Sequence, residues 1–186
     1  MTNKLRYGFL AVMLVFLAAC THQVATETVS SNMAAASKIN VQLGIAYLKE
    51  GDNLRAKEKL LLAVSQDKTP QSYGALAYYY EKTGDITSAS QNYQAAITLN
   101  PTAGAGHNNY GAFLCRQGEY QQADEQFMLA VNDKNYINTA GAYENAGLCA
   151  LLIPDKAKAK QYFEIALQQN PELSVARNEL ATLNNQ

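Results

Sequence analysis

Few side chains in this sequence could carry out acid–base or metal chemistry. The 186 residues contain two histidines and three cysteines. His22 lies in a polar segment, and the sequence has no glycine-rich phosphate loop, no His-Glu-x-x-His pair and no Gly-x-Ser-x-Gly elbow. Zinc sites need about four nitrogen or sulfur ligands at short, regular spacings, which this chain does not offer. We therefore expect a protein that is not an enzyme and has no catalytic residue, metal, cofactor or small-molecule substrate.

The balance of charged residues argues against nucleic-acid binding. Fifteen Lys and Arg residues stand against sixteen Asp and Glu residues, so the formal net charge is −1. Nucleic-acid-binding domains need a basic excess to neutralise phosphates. We expect no nucleic-acid partner. The composition, with 48% hydrophobic and 17% charged residues, is that of an ordinary globular domain.

The N-terminus has the pattern of a lipoprotein signal. Lys4 and Arg6 precede an apolar run of about a dozen residues, which is shorter than the roughly 20 residues that cross a bilayer. The run ends in Leu-Ala-Ala-Cys at 17–20, which resembles the lipobox of bacterial lipoproteins, where the cysteine is acylated and becomes the new N-terminus. An ordinary cleavage site that happens to precede a cysteine is the alternative.

This pattern predicts a signal peptide at 1–19, lipidation at Cys20 and a flexible tether at 20–36. The residue after the cysteine is Thr21 rather than the Asp that lipoprotein rules associate with inner-membrane retention. The resemblance therefore implies a lipid anchor in the outer membrane, with the domain on the periplasmic face.

A repeat of about 34 residues organises the rest of the chain. Gly51, Gly84 and Gly118 each follow a helix-like segment, and an alanine comes five residues after each of them. A fourth copy has Pro154 at the turn and about two extra residues in its linker. A period of 34 residues is that of tetratricopeptide repeats, in which each unit is a pair of antiparallel helices. We expect an all-α tetratricopeptide superhelical solenoid over 37–186. It has four hairpins and a C-terminal capping helix, at 37–69, 70–103, 104–138, 140–170 and 172–183.

Residue size at equivalent positions favours the same fold. Each first helix carries a small residue, and each second helix carries a large one between two alanines, so that bulky side chains can enter the neighbouring helix. The small residues are Gly44, Ala77, Gly111 and Gly147, and the large ones are Leu60, Tyr93, Phe127 and Phe163. His107 occupies a bulky core position of the third unit, which favours a packed, hydrogen-bonded histidine over a catalytic one.

The first helices of such a solenoid line a concave groove. Residues that packing does not use are expected to face it, with amides in the middle and aliphatic residues at the ends. Adjacent Asn108 and Asn109 are unfavourable in a helix, and their amides could pair with the backbone of a protein segment. The alternative is that the terminal aliphatic residues pack beneath the tether or the cap. The predicted groove comprises Val41, Ile45, Leu48, Tyr78, Lys82, Asn108, Asn109, Ala112, Arg116, Glu144, Asn145, Leu148, Leu151 and Leu152.

Cys115 and Cys149 stand near equivalent positions of the third and fourth units. Cys115 is the twelfth residue of the third unit, and Cys149 is the tenth residue of the fourth. Two positions correspond to about 200° around a helix, so the two thiols point in nearly opposite directions from their own helices and could face each other across neighbouring helices. In an oxidising periplasm a disulfide is the expected outcome, and two buried free thiols are the alternative.

The run His-Asn-Asn-Tyr-Gly-Ala-Phe-Leu-Cys-Arg-Gln-Gly at 107–118, with Asn-Ala-Gly-Leu-Cys-Ala at 145–150, resembles the PilF/PilW family of type IV pilus biogenesis lipoproteins. The resemblance extends over the lipobox and all four units. It implies a pilotin or assembly role: promoting multimerisation or outer-membrane placement of the pilus secretin, or stabilising the pilus. The two cysteines match residues that are bridged in some members of the family.

Two hypotheses about partners follow. The first is a non-catalytic lipoprotein that binds the type IV pilus secretin or another pilus-assembly protein in its groove. The second is a general periplasmic scaffold that docks cell-wall or division enzymes.

Overall fold

Nine helices account for most of the residues that the computed structural model describes, 31–153 and 155–185, and no strand occurs among them. The helices are α1 (31–49), α2 (Asn53–Gln66), α3 (Pro70–Thr83), α4 (Ile86–Leu99), α5 (Gly104–Arg116), α6 (Tyr120–Asn132), α7 (Thr139–Ala150), α8 (Lys156–Gln169) and α9 (Ser174–Asn184). None of them is long and apolar enough to span a bilayer.

The helices pack as consecutive hairpins. α3 packs on α4, α5 on α6 and α7 on α8, while Ser37 Oγ of α1 donates to the carbonyl oxygen of Ala63 in α2 at 2.9 Å. α5 also contacts α3 and α7, so the first helices lie side by side. α9 closes the stack against α8 and α7. The predicted all-α tetratricopeptide solenoid is confirmed.

Glycine ends the first helix in three of the hairpins. Gly51, Gly84 and Gly118 have φ of +79°, +85° and +83°, a left-handed conformation that other residues adopt at a cost. The next helix then begins immediately: the carboxylates of Asp52 and Asp85 accept hydrogen bonds from the N–H groups of Arg55 and Ser88.

Small residues on the first helices admit large side chains from the second. A Cβ atom added to Gly147 would lie 2.6 Å from Cε1 of Phe163, and one added to Gly111 would lie 3.0 Å from the Phe127 ring. A Cβ on Gly44 would lie 2.5 Å from Cγ of Leu60. At Gly44 and Gly147 an added methyl group would overlap the neighbouring side chain, and at Gly111 the Phe127 ring would have to shift by a few tenths of an ångström.

Some boundaries differ from those predicted. Residues 31–36, assigned above to the tether, already belong to α1. Alanines at 34, 35 and 36 are strong helix formers, and the Ser37 contact with α2 fixes that turn. The cap helix begins at Ser174 rather than 172, because residues 171 and 172 form a turn. The predicted signal peptide, Cys20 and the rest of the tether lie outside the described residues.

Candidate protein-binding groove

A cleft of about 770 Å³ runs along the side of the solenoid formed by the first helices. Its walls come mainly from α3 and α5, with two residues from α4 and one each from α1, the α4–α5 turn and α7. Seven of the residues predicted to face the groove line it together: Ile45, Tyr78, Asn108, Asn109, Ala112, Arg116 and Asn145.

Amide groups cross the floor of this cleft. The Asn145 Nδ2 atom donates to Asn108 Oδ1 at 3.0 Å, which links α7 to α5. Asn108 is 9% exposed, whereas its neighbour Asn109 is exposed and makes no side-chain hydrogen bond within the described part of the chain. The amide of Asn109 can therefore both donate to and accept from a segment lying in the cleft.

Arg116 lies at one end of the cleft, held by a buried carboxylate. Its Nε and Nη2 atoms donate to the two carboxylate oxygens of Glu81 at 2.5 and 3.0 Å. The Glu81 side chain is 7% exposed and also accepts from the hydroxyl of Tyr93 at 3.0 Å. Burial, together with the nearby Glu81 charge, raises the pKa of Tyr93 well above its ordinary value. This cluster joins α3, α4 and α5 and fixes the direction in which Arg116 points.

The floor of the cleft has glycines that internal packing does not explain. A Cβ atom added to Gly74 of α3 would have no neighbour within 4 Å, and one added to Gly106 of α5 would meet only Ile97, at 3.8 Å. Glycine inside a helix costs about 1 kcal/mol relative to alanine. The missing side chains leave room for the backbone of a bound segment.

Gln71, Gly74 and Ala75 also line the cleft, although they are not among the predicted groove residues. The signal was present, because the repeat register places these residues at the second, fifth and sixth positions of their unit, which are groove positions.

The N-terminus of α5 is capped by Asp133, which lies at the C-terminal end of α6. The N-cap of α5 is Ala103, which has no side-chain acceptor, and Asp133 Oδ2 accepts from the N–H of Gly104 at 2.9 Å instead. Asp133 Oδ1 also accepts from the N–H of Asn135 at 2.9 Å. These backbone hydrogen bonds hold the pKa of the Asp133 carboxyl below its usual value.

His107 is a structural residue in this arrangement. It is 4% exposed, its Nδ1 lies 2.8 Å from the Gln126 side-chain amide, and its Nε2 lies 2.8 Å from the carbonyl oxygen of Pro101. Both ring nitrogens are thus occupied by groups of α6 and the α4–α5 turn. The geometry agrees with the packed histidine favoured above.

The other predicted groove residues lie elsewhere. Val41 is buried, and Leu48 packs against the core between the first two hairpins. Lys82 Nζ lies 5.3 Å from the centre of the Tyr78 ring at the rim. Near the C-terminus the cap helix α9 takes part of the surface: Glu144 accepts from the N–H of Ala176 at 2.9 Å, Leu148 and Leu151 pack on the core, and Leu152 is exposed. Helix packing accounts for Val41, Leu48, Leu148 and Leu151, whereas Lys82 and Leu152 stay exposed.

Cys115 and Cys149 are joined by a disulfide in the structure, with their Cα atoms 5.8 Å apart. The bridge connects α5 to α7, the first helices of the third and fourth hairpins. Within the described ranges, no group of three or more His, Cys, Asp or Glu residues could hold a metal ion.

Comparison with known proteins identifies the repeat. Two models of the tetratricopeptide repeat match residues 70–102 and 92–125. The chain is 40% identical to an uncharacterized protein of Haemophilus influenzae over 142 residues, which cover 75% of this chain and 78% of that protein. It is 31% identical to the type IV pilus assembly protein PilF of Pseudomonas aeruginosa over 144 residues, which cover 77% of this chain. That alignment spans 57% of the Pseudomonas protein.

Solved structures agree with these matches. The structure from the functional characterization of Pseudomonas aeruginosa PilF superposes with a TM-score of 0.76 at 30% identity, covering 83% of this chain and 70% of that one. The crystal structure of PilW, described as a widely conserved type IV pilus biogenesis factor, superposes with a TM-score of 0.73 at 26% identity, covering 80% and 69%. Because the similarity in sequence and in structure extends over most of the chain, the resemblance drawn from the Asn-Asn-Tyr-Gly run is confirmed, and this protein belongs to the PilF/PilW family of tetratricopeptide-repeat proteins.

Proposed function

We propose that this protein is a non-catalytic factor of type IV pilus biogenesis that binds a segment of a partner protein in the groove between α1, α3, α5 and α7. The observation that carries the proposal is the cleft itself: an accessible amide at Asn109, an oriented cation at Arg116 and an open floor at Gly74. Amides, a fixed charge and space for a backbone suit a peptide segment rather than a reacting molecule. Membership of the PilF/PilW family supports a role in type IV pilus biogenesis.

The partner we propose is the pilus secretin or another pilus-assembly protein, and the role is that of a pilotin or of a factor that stabilises the pilus.

We also propose that Cys20 is lipidated and holds the domain at the periplasmic face of the outer membrane. Replacement of Cys20 by Ala should abolish metabolic labelling with a fatty acid and shift the protein out of the outer-membrane fraction. Unchanged labelling would overturn the anchor.

Crosslinking from the groove tests the partner. A photo-crosslinking amino acid at Asn109 should capture a pilus component in cells, whereas the same amino acid at Leu129, which is exposed on α6, should not. Recovery of cell-wall or division enzymes from Asn109, without a pilus component, would instead support the general scaffold.

A blocked groove tests the site. Gly74→Leu places a side chain on the open floor, where an added Cβ atom has no neighbour within 4 Å. The fold should therefore be retained, while partner capture and secretin multimers are lost. The matched control is Gln91→Leu on the exposed side of α4, which should leave both unchanged. Normal multimers and normal piliation in the Gly74→Leu strain would contradict the proposed function.

A further inference from the structure

The first hairpin exposes more large apolar side chains than any other hairpin in the described part of the chain. Twelve large hydrophobic residues are exposed in the described part, and six of them lie within residues 31–69. These six are Met33, Ile39, Leu43, Leu54, Leu61 and Leu62. Exposed apolar clusters on a small domain mark places where another surface docks.

Helix α1 is the clearest part of this surface. Its inner side faces α2 through Ser37 and Gly44, which leaves Ile39 56% exposed and Leu43 40% exposed. Leu76 holds the position of Leu43 in the second unit and is buried against Ala56 and Leu60 of α2. No helix among the described residues precedes α1 to cover Leu43 in the same way.

The outer face of α1 is amphipathic. With 100° between successive residues, Ile39 and Leu43 lie along one side of this face, and Lys38 and Lys49 lie along the other. Exposed Ala35 and Ala46 fall between the two rows. Residues 31–49 contain two lysines and no acidic residue, and neither lysine forms an ion pair within the described ranges.

Charge is distributed unevenly along the chain. Residues 31–69 hold six basic and four acidic residues, whereas residues 70–186 hold seven basic and eleven acidic residues. Two of the four acidic residues in the first hairpin are already paired, Asp52 with Arg55 and Glu58 with Lys59. The hairpin with an excess of basic residues is therefore also the hairpin with the most exposed large apolar side chains. Together these properties suit the surface of an anionic bilayer.

We infer that the outer face of α1 lies on an anionic phospholipid surface, with Ile39 and Leu43 in the headgroup region and Lys38 and Lys49 beside lipid phosphates. The inference rests on the lipid anchor in the proposed function. Cys20 precedes residue 31 by eleven positions, which span at most about 36 Å, so an anchored chain keeps α1 near the bilayer. Such tethering makes even a weak surface contact effective. A second copy of α1 fits less well, because residues 31–49 contain no acidic residue that could complement Lys38 and Lys49.

Tryptophan fluorescence provides a direct test because the sequence contains no Trp. The full lipoprotein carrying Ile39→Trp is incorporated into vesicles of phosphatidylethanolamine and phosphatidylglycerol. Its emission should move to shorter wavelength and be quenched by brominated lipids. Leu129→Trp on α6, anchored in the same way and 49% exposed, should show neither change. Identical spectra and identical quenching for the two variants would overturn the inference, and Leu43→Trp repeats the test at a second position.

The lysines are tested in the same assay. Lys38→Glu combined with Lys49→Glu should abolish the quenching of Trp at position 39, and Lys134→Glu combined with Lys160→Glu should not. Replacing phosphatidylglycerol with phosphatidylcholine should also abolish the quenching of Trp at position 39, because the anionic headgroups are then absent. A blue shift that grows with protein concentration in the absence of vesicles would instead indicate a second copy and overturn the inference. Crosslinking from Asn109 does not depend on α1, so failure of one proposal leaves the other test intact.

Discussion

Arg116 is both a groove residue and the partner of a buried charge. Replacing Arg116 with Ala removes two charge-assisted hydrogen bonds from Glu81, whose side chain is 7% exposed. We expect the free energy of unfolding to fall by about 1–2 kcal/mol, the lower part of the range for hydrogen bonds to charged groups, because the Arg116 side chain is half exposed. Urea denaturation followed by circular dichroism measures this change.

The matched control is Lys134→Ala, which removes an exposed cation that forms no ion pair within the described residues. Arg116→Lys should recover part of the loss, because one donor can still reach Glu81. Equal stability of the Arg116→Ala and Lys134→Ala variants would show that Glu81 does not depend on Arg116.

Asp133 makes the start of α5 sensitive to acid. Backbone hydrogen bonds from Gly104 and Asn135 lower the pKa of its carboxyl in the folded protein below the ordinary 3.8. Its contribution to stability is therefore complete above the unfolded pKa of about 3.9 and is lost as the pH falls through the lower folded value. We expect Asp133→Asn to reduce the melting temperature at pH 7 and to flatten its fall below pH 4.

A melting series across this pH range tests the assignment. Glu164→Gln, which removes an exposed carboxylate on α8, should keep the acid slope of the unchanged protein. If Asp133→Asn stayed below the unchanged protein by the same amount at every pH, the ionised carboxylate would not be the stabilising form.

At the scale of the helix, two glycines inside first helices have opposite roles. Gly147→Ala places a methyl group 2.6 Å from the Phe163 ring, so either that ring or the α7–α8 pair must shift. We expect a loss of about 1–3 kcal/mol of stability, the usual cost of overpacking. Gly74→Ala meets no neighbour and should gain about 1 kcal/mol from helix propensity. Urea denaturation of both variants gives the comparison, and a shift in the same direction for both would refute the packing explanation.

At the scale of the whole molecule, the Cys115–Cys149 disulfide joins two hairpins that otherwise depend on neighbour contacts. In the chain-entropy model, closing a loop of this length stabilises the folded state by about 4 kcal/mol. We expect a reducing agent to lower the urea midpoint, and a double variant with Cys115→Ser and Cys149→Ser to be insensitive to it. Thiol labelling of the unreduced periplasmic protein measures the bridge directly. Full labelling of both cysteines would exclude it.

The architecture was readable from the sequence because it depends on short-range patterns. Glycine at 51, 84 and 118 marks the end of a first helix, since the left-handed conformation there is a local property of the backbone. The alternation of small and large residues at Gly147 and Phe163 predicts which helix faces meet. The same register placed Asn108, Asn109 and Arg116 on one surface, and the structure gathers them in one cleft.

Tertiary structure alone decided where that cleft ends and what holds its residues. Asp133 caps α5 across 29 residues, Glu81 reaches Arg116 across 35, and Glu144 binds the start of α9 across 32. No spacing rule predicts such contacts, because they depend on the distance and angle at which whole hairpins stack. The sequence by itself therefore determined a repeat of paired helices with an amide-bearing face. The packing of those pairs, and of the cap on the last of them, determined which part of the face remains open to a partner.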